Sequence, residues 1–225
     1  MTASFFSFFV ITFLIVVHEL GHFLMAWICG ARVEKILIYP LGGISKFSTS
    51  FKISLVKEYL ILLLGPLFQF IAWYFLLVLF PDKEVLISSY HFGILFFNML
   101  PVYPLDGGKL LCLLFHHFFS YKKSFYFTFL FSYLLLFLFL YYYFISFSFN
   151  VLFLCVFLFV KLTVEVKQIP YYYEKFLLER YLSHYYFRKS KIIYSFDEFQ
   201  RSRRHLIKVG NHYYVEREYL EKKYK

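Results

Sequence analysis

Long unbroken apolar runs, rather than alternating or amphipathic patterns, dominate roughly the first 165 positions of the chain. The first run covers about 4–28, enough to cross a ~30 Å hydrocarbon core as a helix, and Gly30 with Arg32 ends it. No basic region or small-residue cleavage site accompanies it, so it reads as a retained span and not a signal peptide. Residues 33–47 change character: β-branched and aromatic side chains are broken by Pro40, Gly42 and Gly43. That pattern predicts a short hairpin at the membrane surface or a connecting loop, and propensity does not separate the two. A second span covers about 58–80 and holds Gly65-Pro66 and one interior polar residue, Gln69. A buried amide hydrogen-bonds another helix or a substrate backbone, and gluing helices is the commoner use.

After a turn at 81–84, a third apolar segment, 86–118, is interrupted by Pro101, Pro104 and the pair Gly107-Gly108. Broken backbone at membrane depth needs protein or a cavity around it, and Asp106 in that break needs a counter-charge. Two further spans, 125–145 and 150–162, carry no acidic residue and read as scaffold, parted by a weak break at 146–149. The expected fold is thus an all-α polytopic membrane protein. It has about five transmembrane segments within residues 1–164, a short membrane-surface β-hairpin, and a small α/β tail at 165–225. In that tail, 171–185 and 196–204 read as helices, 207–215 as two strands around a Gly210-Asn211 turn, and 216–224 as a final helix.

Composition agrees, since 60% hydrophobic and 26% aromatic residues exceed what a soluble domain of 225 residues uses. The net charge of +10 is local, because 14 of the 24 basic residues lie after Val164. The link between the first two spans carries Arg32, Lys35, Lys46, Lys52 and Lys57, and that between the third and fourth Lys122 and Lys123. With five spans these segments and the tail share one face, which the positive-inside rule makes cytosolic. Such a tail suits anionic headgroups of the lipid bilayer or an acidic partner, and direct nucleic-acid binding is not expected. Cys29, Cys112 and Cys155 have no paired spacing and read as small buried hydrophobes. His91, His116 and His117 read as interfacial, and His184, His205 and His212 as solvated.

The chemistry concentrates in His18-Glu19-Leu20-Gly21-His22. Two histidines four apart share one helix face and can reach one metal ion, and the carboxylate between them can take a proton from water. Two neutral imidazoles leave a catalytic zinc under-coordinated. Among the acids, Asp106 shares the depth of His18 and His22 below the cytosolic end of its span, whereas Glu34, Glu58, Asp82 and Glu84 sit at or beyond span ends. A transporter or ion-handling protein would also use a broken helix with a buried Asp, but it gives Glu19 no role and predicts two related halves. An inactive scaffold is disfavoured because all four groups are present.

With that motif on one span and Asn98-Met99-Leu100-Pro101 and Pro104-Leu105-Asp106-Gly107-Gly108-Lys109-Leu110 on another, the chain resembles the site-2 protease family of intramembrane zinc metalloproteases. Together with Gly65-Pro66-Leu67 and Lys175-Phe176-Leu177-Leu178-Glu179-Arg180-Tyr181, those two stretches resemble the sporulation branch of that family, which processes a sigma-factor precursor, pro-sigma-K. The resemblance implies one zinc ion held by His18, His22 and Asp106, with Glu19 as general base. It implies a hairpin near Gly42 and Gly43 that positions an extended substrate, with Gln69 and Asn98 as further candidates for that task. It also implies a membrane-associated protein substrate, membrane-protein inhibitors or regulators as partners, and a location on the mother-cell side of the outer forespore membrane. Two features depart from the pattern. Only 17 residues precede His18 where the family usually has an earlier membrane segment, so that segment is missing or the true start lies upstream. The tail corresponds to at most a reduced half of the nucleotide-sensing CBS domain found in the sporulation branch.

Overall fold

The computed structural model describes residues 3–30, 33–39, 42–47, 54–146, 149–182, 187 and 190–224. Pro40, the centre of the 146–149 break, the last residues of the expected 171–185 helix, and His184 lie outside the described residues. The chain separates into two compact units, 1–100 and 101–225.

The first unit is built on two long helices, α1 (Ala3–Ile28) and α2 (Leu55–Leu79). Both are too apolar to show a helical stripe in composition, yet burial selects one. Phe6, Val10, Leu14, His18, His22 and Ala26 are all buried, a row with a step of four residues. On α2 the buried set is Ile61, Leu62, Gly65, Gln69, Ala72 and Leu76. Rows with that step form the ridges through which helices pack, and here the two metal-ligand candidates continue the ridge that makes the core. Phe6, Val10 and Leu14 pack with Ala72, Leu76 and Ile87, the last from α3 (Glu84–Met99). Ser54 caps α2 by accepting from the Lys57 N–H at 3.4 Å, and Pro81 opens the single turn that leads into α3.

Between α1 and α2 lie β1 (Val33–Tyr39) and β2 (Gly42–Phe47), paired antiparallel with Tyr39 opposite Gly42 and Ile38 opposite Gly43. The hairpin reading of 33–47 is therefore the one the chain adopts.

The second unit begins with the broken segment. Residues 101–105 form a tight connection that leads into α4 (Asp106–Phe118). A Cβ on Gly108 would sit 2.4 Å from the Tyr103 nitrogen and the Val102 carbonyl carbon, so only glycine lets this turn fold back onto α4. The Tyr103 N–H donates to Ser132 Oγ at 3.0 Å, which ties the turn to α5 (Tyr121–Ser146). α6 (Phe149–Lys167) packs beside α5. Among the described residues three helices are long and apolar enough to cross a membrane, Ser4–Ile28, Leu55–Leu79 and Tyr121–Tyr142. With these helices the chain is an integral membrane protein of largely helical fold.

The tail consists of α7 (Ile169–Leu182), β3 (Ser190–Ile193), β4 (Arg204–Val209), β5 (His212–Val215) and α8 (Glu216–Tyr224), with strand order β3-β4-β5. β3 runs parallel to β4, and β4 and β5 are antiparallel around Gly210, whose φ of 60° suits the turn. Three expectations need correction. Residues 196–204 are not a helix: a single turn at Phe196–Glu198 gives way to irregular backbone and a turn over 199–203, where Phe199 is drawn into the core, and only Arg204 belongs to β4. His205 is not solvated but fully buried: its Nδ1 lies 3.3 Å from Glu216 Oε2, and its Nε2 accepts from the Gln200 N–H at 3.0 Å. His116 is not interfacial, since it is buried on α4 and stacks on Tyr121 at 5.0 Å between centroids. Tyr121 in turn stacks on Phe176 of α7 at 4.3 Å, and its N–H donates to Phe199 O at 2.9 Å. The start of α5 thus completes the tail's small core, with Lys122 and Asp197 paired at 2.9 Å alongside.

Candidate functional site

His18, Glu19 and His22 each offer a donor atom, and these atoms lie within 4.8 Å of one another. The histidines are buried and Glu19 is half-buried, one residue around the helix from the packed ridge. The helix brings the two rings together as the spacing predicts, with 4.8 Å between centroids. How each ring is held follows from its neighbours on α2.

His22 Nδ1 lies 2.8 Å from Ile61 O. A carbonyl oxygen only accepts, so Nδ1 carries the proton and Nε2 presents a lone pair. Pro66, inside α2, lacks the N–H that would have bonded Leu62 O, the carbonyl next to that of Ile61. The ring also needs room. A Cβ on Gly65 would fall 2.3 Å from His22 Cε1 and Nε2, and one on Gly21 would fall 2.5 Å from Leu64 O. The two glycines therefore let α1 and α2 cross closely enough for α2 backbone to seat the His22 ring, the use of small residues common at membrane helix contacts.

His18 Nδ1 lies 2.8 Å from Gln69 Oε1. Gln69 Nε2 donates to the His91 carbonyl oxygen at 3.0 Å, which fixes the amide so that its oxygen faces His18. His18 Nδ1 is thus also the protonated nitrogen. The interhelix alternative for Gln69 is what the structure contains, with partners on α1 and α3. His91, expected at an interface, is instead buried, stacked on Trp73 at 5.0 Å and edge-on to Phe70 at 4.7 Å.

With both Nδ1 atoms committed as donors, the two Nε2 atoms face each other at 3.1 Å. Two nitrogens that both present lone pairs repel at that distance unless a cation lies between them. Two ligands ~2.05 Å from one tetrahedral zinc would be about 3.3 Å apart. The donor set and its spacing therefore fit a zinc ion.

Asp106 is buried at the first position of α4 in the second unit, where its Oδ1 meets Lys109 Nζ at 3.0 Å and the positive end of the helix dipole. Lys109 is the counter-charge that the sequence required. Asn98 is half-buried near the end of α3, and Gly42 and Gly43 open β2. Sequence reasoning missed Ile61, whose part is played by its backbone carbonyl, and His91, whose placement depends on helix packing. Gly65-Pro66 was visible inside the second span but not as the seat of His22.

Residues 6–92 match the family model described as peptidase family M50. The chain is 32% identical over 182 residues to stage IV sporulation protein FB of Bacillus subtilis, a match covering 75% of this chain and 61% of that protein. It is 33% identical over 121 residues to a zinc metalloprotease of Methanocaldococcus jannaschii, covering 49% of this chain and 34% of that protein. The chain thus spans less than two thirds of the length of either curated relative. A solved site-2 protease from M. jannaschii superposes with a TM-score of 0.60 at 26% identity, covering 70% of this chain and 76% of that structure.

Proposed function

We propose that the chain, whose residues 6–92 match the peptidase family M50 model, is an intramembrane zinc metalloendopeptidase of the site-2 protease type that cleaves a membrane-associated protein. The observation that carries this reading is the pair of Nε2 atoms, 3.1 Å apart with both Nδ1 atoms committed elsewhere, next to a carboxylate. A zinc ion held there supplies the Lewis acidity that lets water attack a peptide carbonyl at neutral pH. Glu19 takes the proton from the attacking water and returns it to the leaving nitrogen, the work of a general base that then acts as an acid. His18 and His22 hold one zinc per chain, and Asp106 is its third protein ligand. The warrant for Asp106 is chemical: a catalytic zinc takes three protein ligands, and a buried carboxylate in a membrane protein needs a function.

The substrate has to unwind before its peptide bond is accessible. The β1–β2 hairpin, opened by Gly42 and Gly43, offers strand-like capture of such an extended segment, and Asn98 is a second polar group for positioning it. Similarity to the sporulation protein supports a substrate of the sigma-factor precursor kind and regulators that are membrane proteins. It also supports a location on the mother-cell side of the outer forespore membrane. In this arrangement residues 1–164 form the protease with five membrane segments, the apolar parts of α3–α4 and α6 adding to the three long helices. Residues 165–225 are the cytosolic tail, a reduced CBS-like element. The ion-transport alternative is not favoured, because it leaves Glu19 without a role beside the two histidines.

The test is metal analysis of the purified full chain beside Asp106→Ala. Wild type should hold about one zinc per chain and Asp106→Ala much less. Stoichiometric zinc with normal cleavage in Asp106→Ala would overturn the ligand set.

A further inference from the structure

We infer that Gln69 is a positioning residue for the metal, acting through His18: it sets which ring nitrogen of His18 faces the ion and holds the ring there. This rests on the reading of His18 and His22 as metal ligands. Its basis is a hydrogen-bond chain whose direction is determined at its far end. The His91 carbonyl oxygen can only accept, so the Gln69 amide nitrogen faces it at 3.0 Å. The amide oxygen then faces His18 Nδ1 at 2.8 Å and can only accept in turn. The proton must sit on Nδ1, and the lone pair must sit on Nε2, the atom 3.1 Å from His22 Nε2.

The relay is rigid because its members are packed on every side. Gln69 is fully buried, and His91 is buried with its ring stacked on Trp73 and edge-on to Phe70 and Phe92. Trp73 Nε1 donates to Ser88 Oγ at 3.0 Å, which ties that face of α2 to α3. Outer-shell partners of this kind orient a metal-bound imidazole and raise its basicity. An amide does so without adding a buried charge to an apolar span, where a carboxylate would need a further partner. His22 reaches the same end through Ile61 O, so α2 holds one ring by backbone and the other by a side chain. A residue that merely glued α1 to α2 would need neither this polarity nor the His91 anchor.

The experiment measures zinc affinity by chelator competition on the purified full chain, with the absorption spectrum of the cobalt(II)-loaded protein as a second readout. Neither needs turnover. Wild type, His18→Ala, Gln69→Leu, Gln69→Asn and Gln69→Glu are compared, with thermal melts of the metal-free forms to verify folding. Gln69→Leu removes the acceptor, and Gln69→Asn withdraws it by one methylene and serves should the leucine variant not fold. Either should lose ~10–100-fold in zinc affinity and shift the cobalt spectrum. Gln69→Glu, as the neutral acid, keeps an oxygen toward His18 and an O–H toward His91 O, so it should stay within the wild-type order of magnitude. If the folded leucine or asparagine variant binds zinc like wild type, or if Gln69→Glu loses as much as Gln69→Leu, the inference is overturned while the metal site stands. If wild type binds no stoichiometric zinc, or His18→Ala keeps it, the metal reading itself falls and takes the inference with it.

Discussion

At the scale of single residues, the site depends on what each imidazole has behind it. His22 is seated by Ile61 O at 2.8 Å and by the bare Cα of Gly65. Gly65→Ala should therefore damage the proposed metal site without replacing either histidine: its Cβ would meet His22 Nε2 and Cε1 at 2.3 Å. Overpacking of this kind costs ~1–3 kcal/mol, and the ring can relieve it only by leaving Ile61 O. Chelator competition should show weaker zinc binding in Gly65→Ala, and unchanged affinity would mean that α2 does not seat the ring. The ligand motif was legible because a four-residue helical step is local. Gln69 was legible as an anomaly, one polar group in an apolar span, but its partners were not, since they depend on the register in which α1, α2 and α3 cross. The same reason hid Ile61, for no side-chain pattern marks a carbonyl that will be used.

At the scale of elements, long apolar runs gave reliable helices, and the Pro and Gly residues of 98–108 gave the break between α3 and α4. The tail was harder, because its strands are short and one pairing is non-local. β3 lies within a charged stretch, and its parallel partner β4 begins fourteen positions later, Ser190 facing Arg204. Of the stretch whose local pattern suggested a helix, 196–204, that pairing claims only Arg204. Around β4, Glu216 receives the His205 N–H at 3.0 Å and lies 2.6 Å from Arg180 Nε, while Arg180 also donates to Gln200 O and Arg203 O. Burial is the largest cause that pushes the His205 imidazole below its ordinary range, with Glu216 opposing it and Arg180 adding to it. A histidine whose folded pKa lies below its unfolded value of ~6.5 takes up a proton more readily when unfolded, so stability falls as pH drops below about 6.5. Hydrogen exchange of the full chain should show β4 and β5 less protected at pH 5.5 than at pH 7.5, after correction for the intrinsic exchange rate. Equal protection would mean that His205 is not buried as a neutral ring.

At the scale of the whole molecule, the proposed catalytic pair His18 and Glu19 lies in an apolar helix, whereas the C-terminal 61 residues carry fourteen of the chain's 24 basic residues. Basic segments resist translocation, so a reporter fused after Lys225 should be active on the cytosolic side, and activity only on the opposite side would overturn the orientation. Membrane class was legible from composition alone, whereas the docking of the tail on Tyr121 and Lys122 was not, since it joins positions over fifty residues apart. The central claim is that Glu19 performs proton transfer at a metal held by other residues. It is tested most directly by measuring zinc content and cleavage of a membrane-tethered substrate on the same preparations of wild type and Glu19→Gln. The amide keeps the shape and cannot take the proton, so the variant should retain zinc while cleavage falls by at least ~10²-fold. Substantial cleavage by zinc-loaded Glu19→Gln would contradict the account.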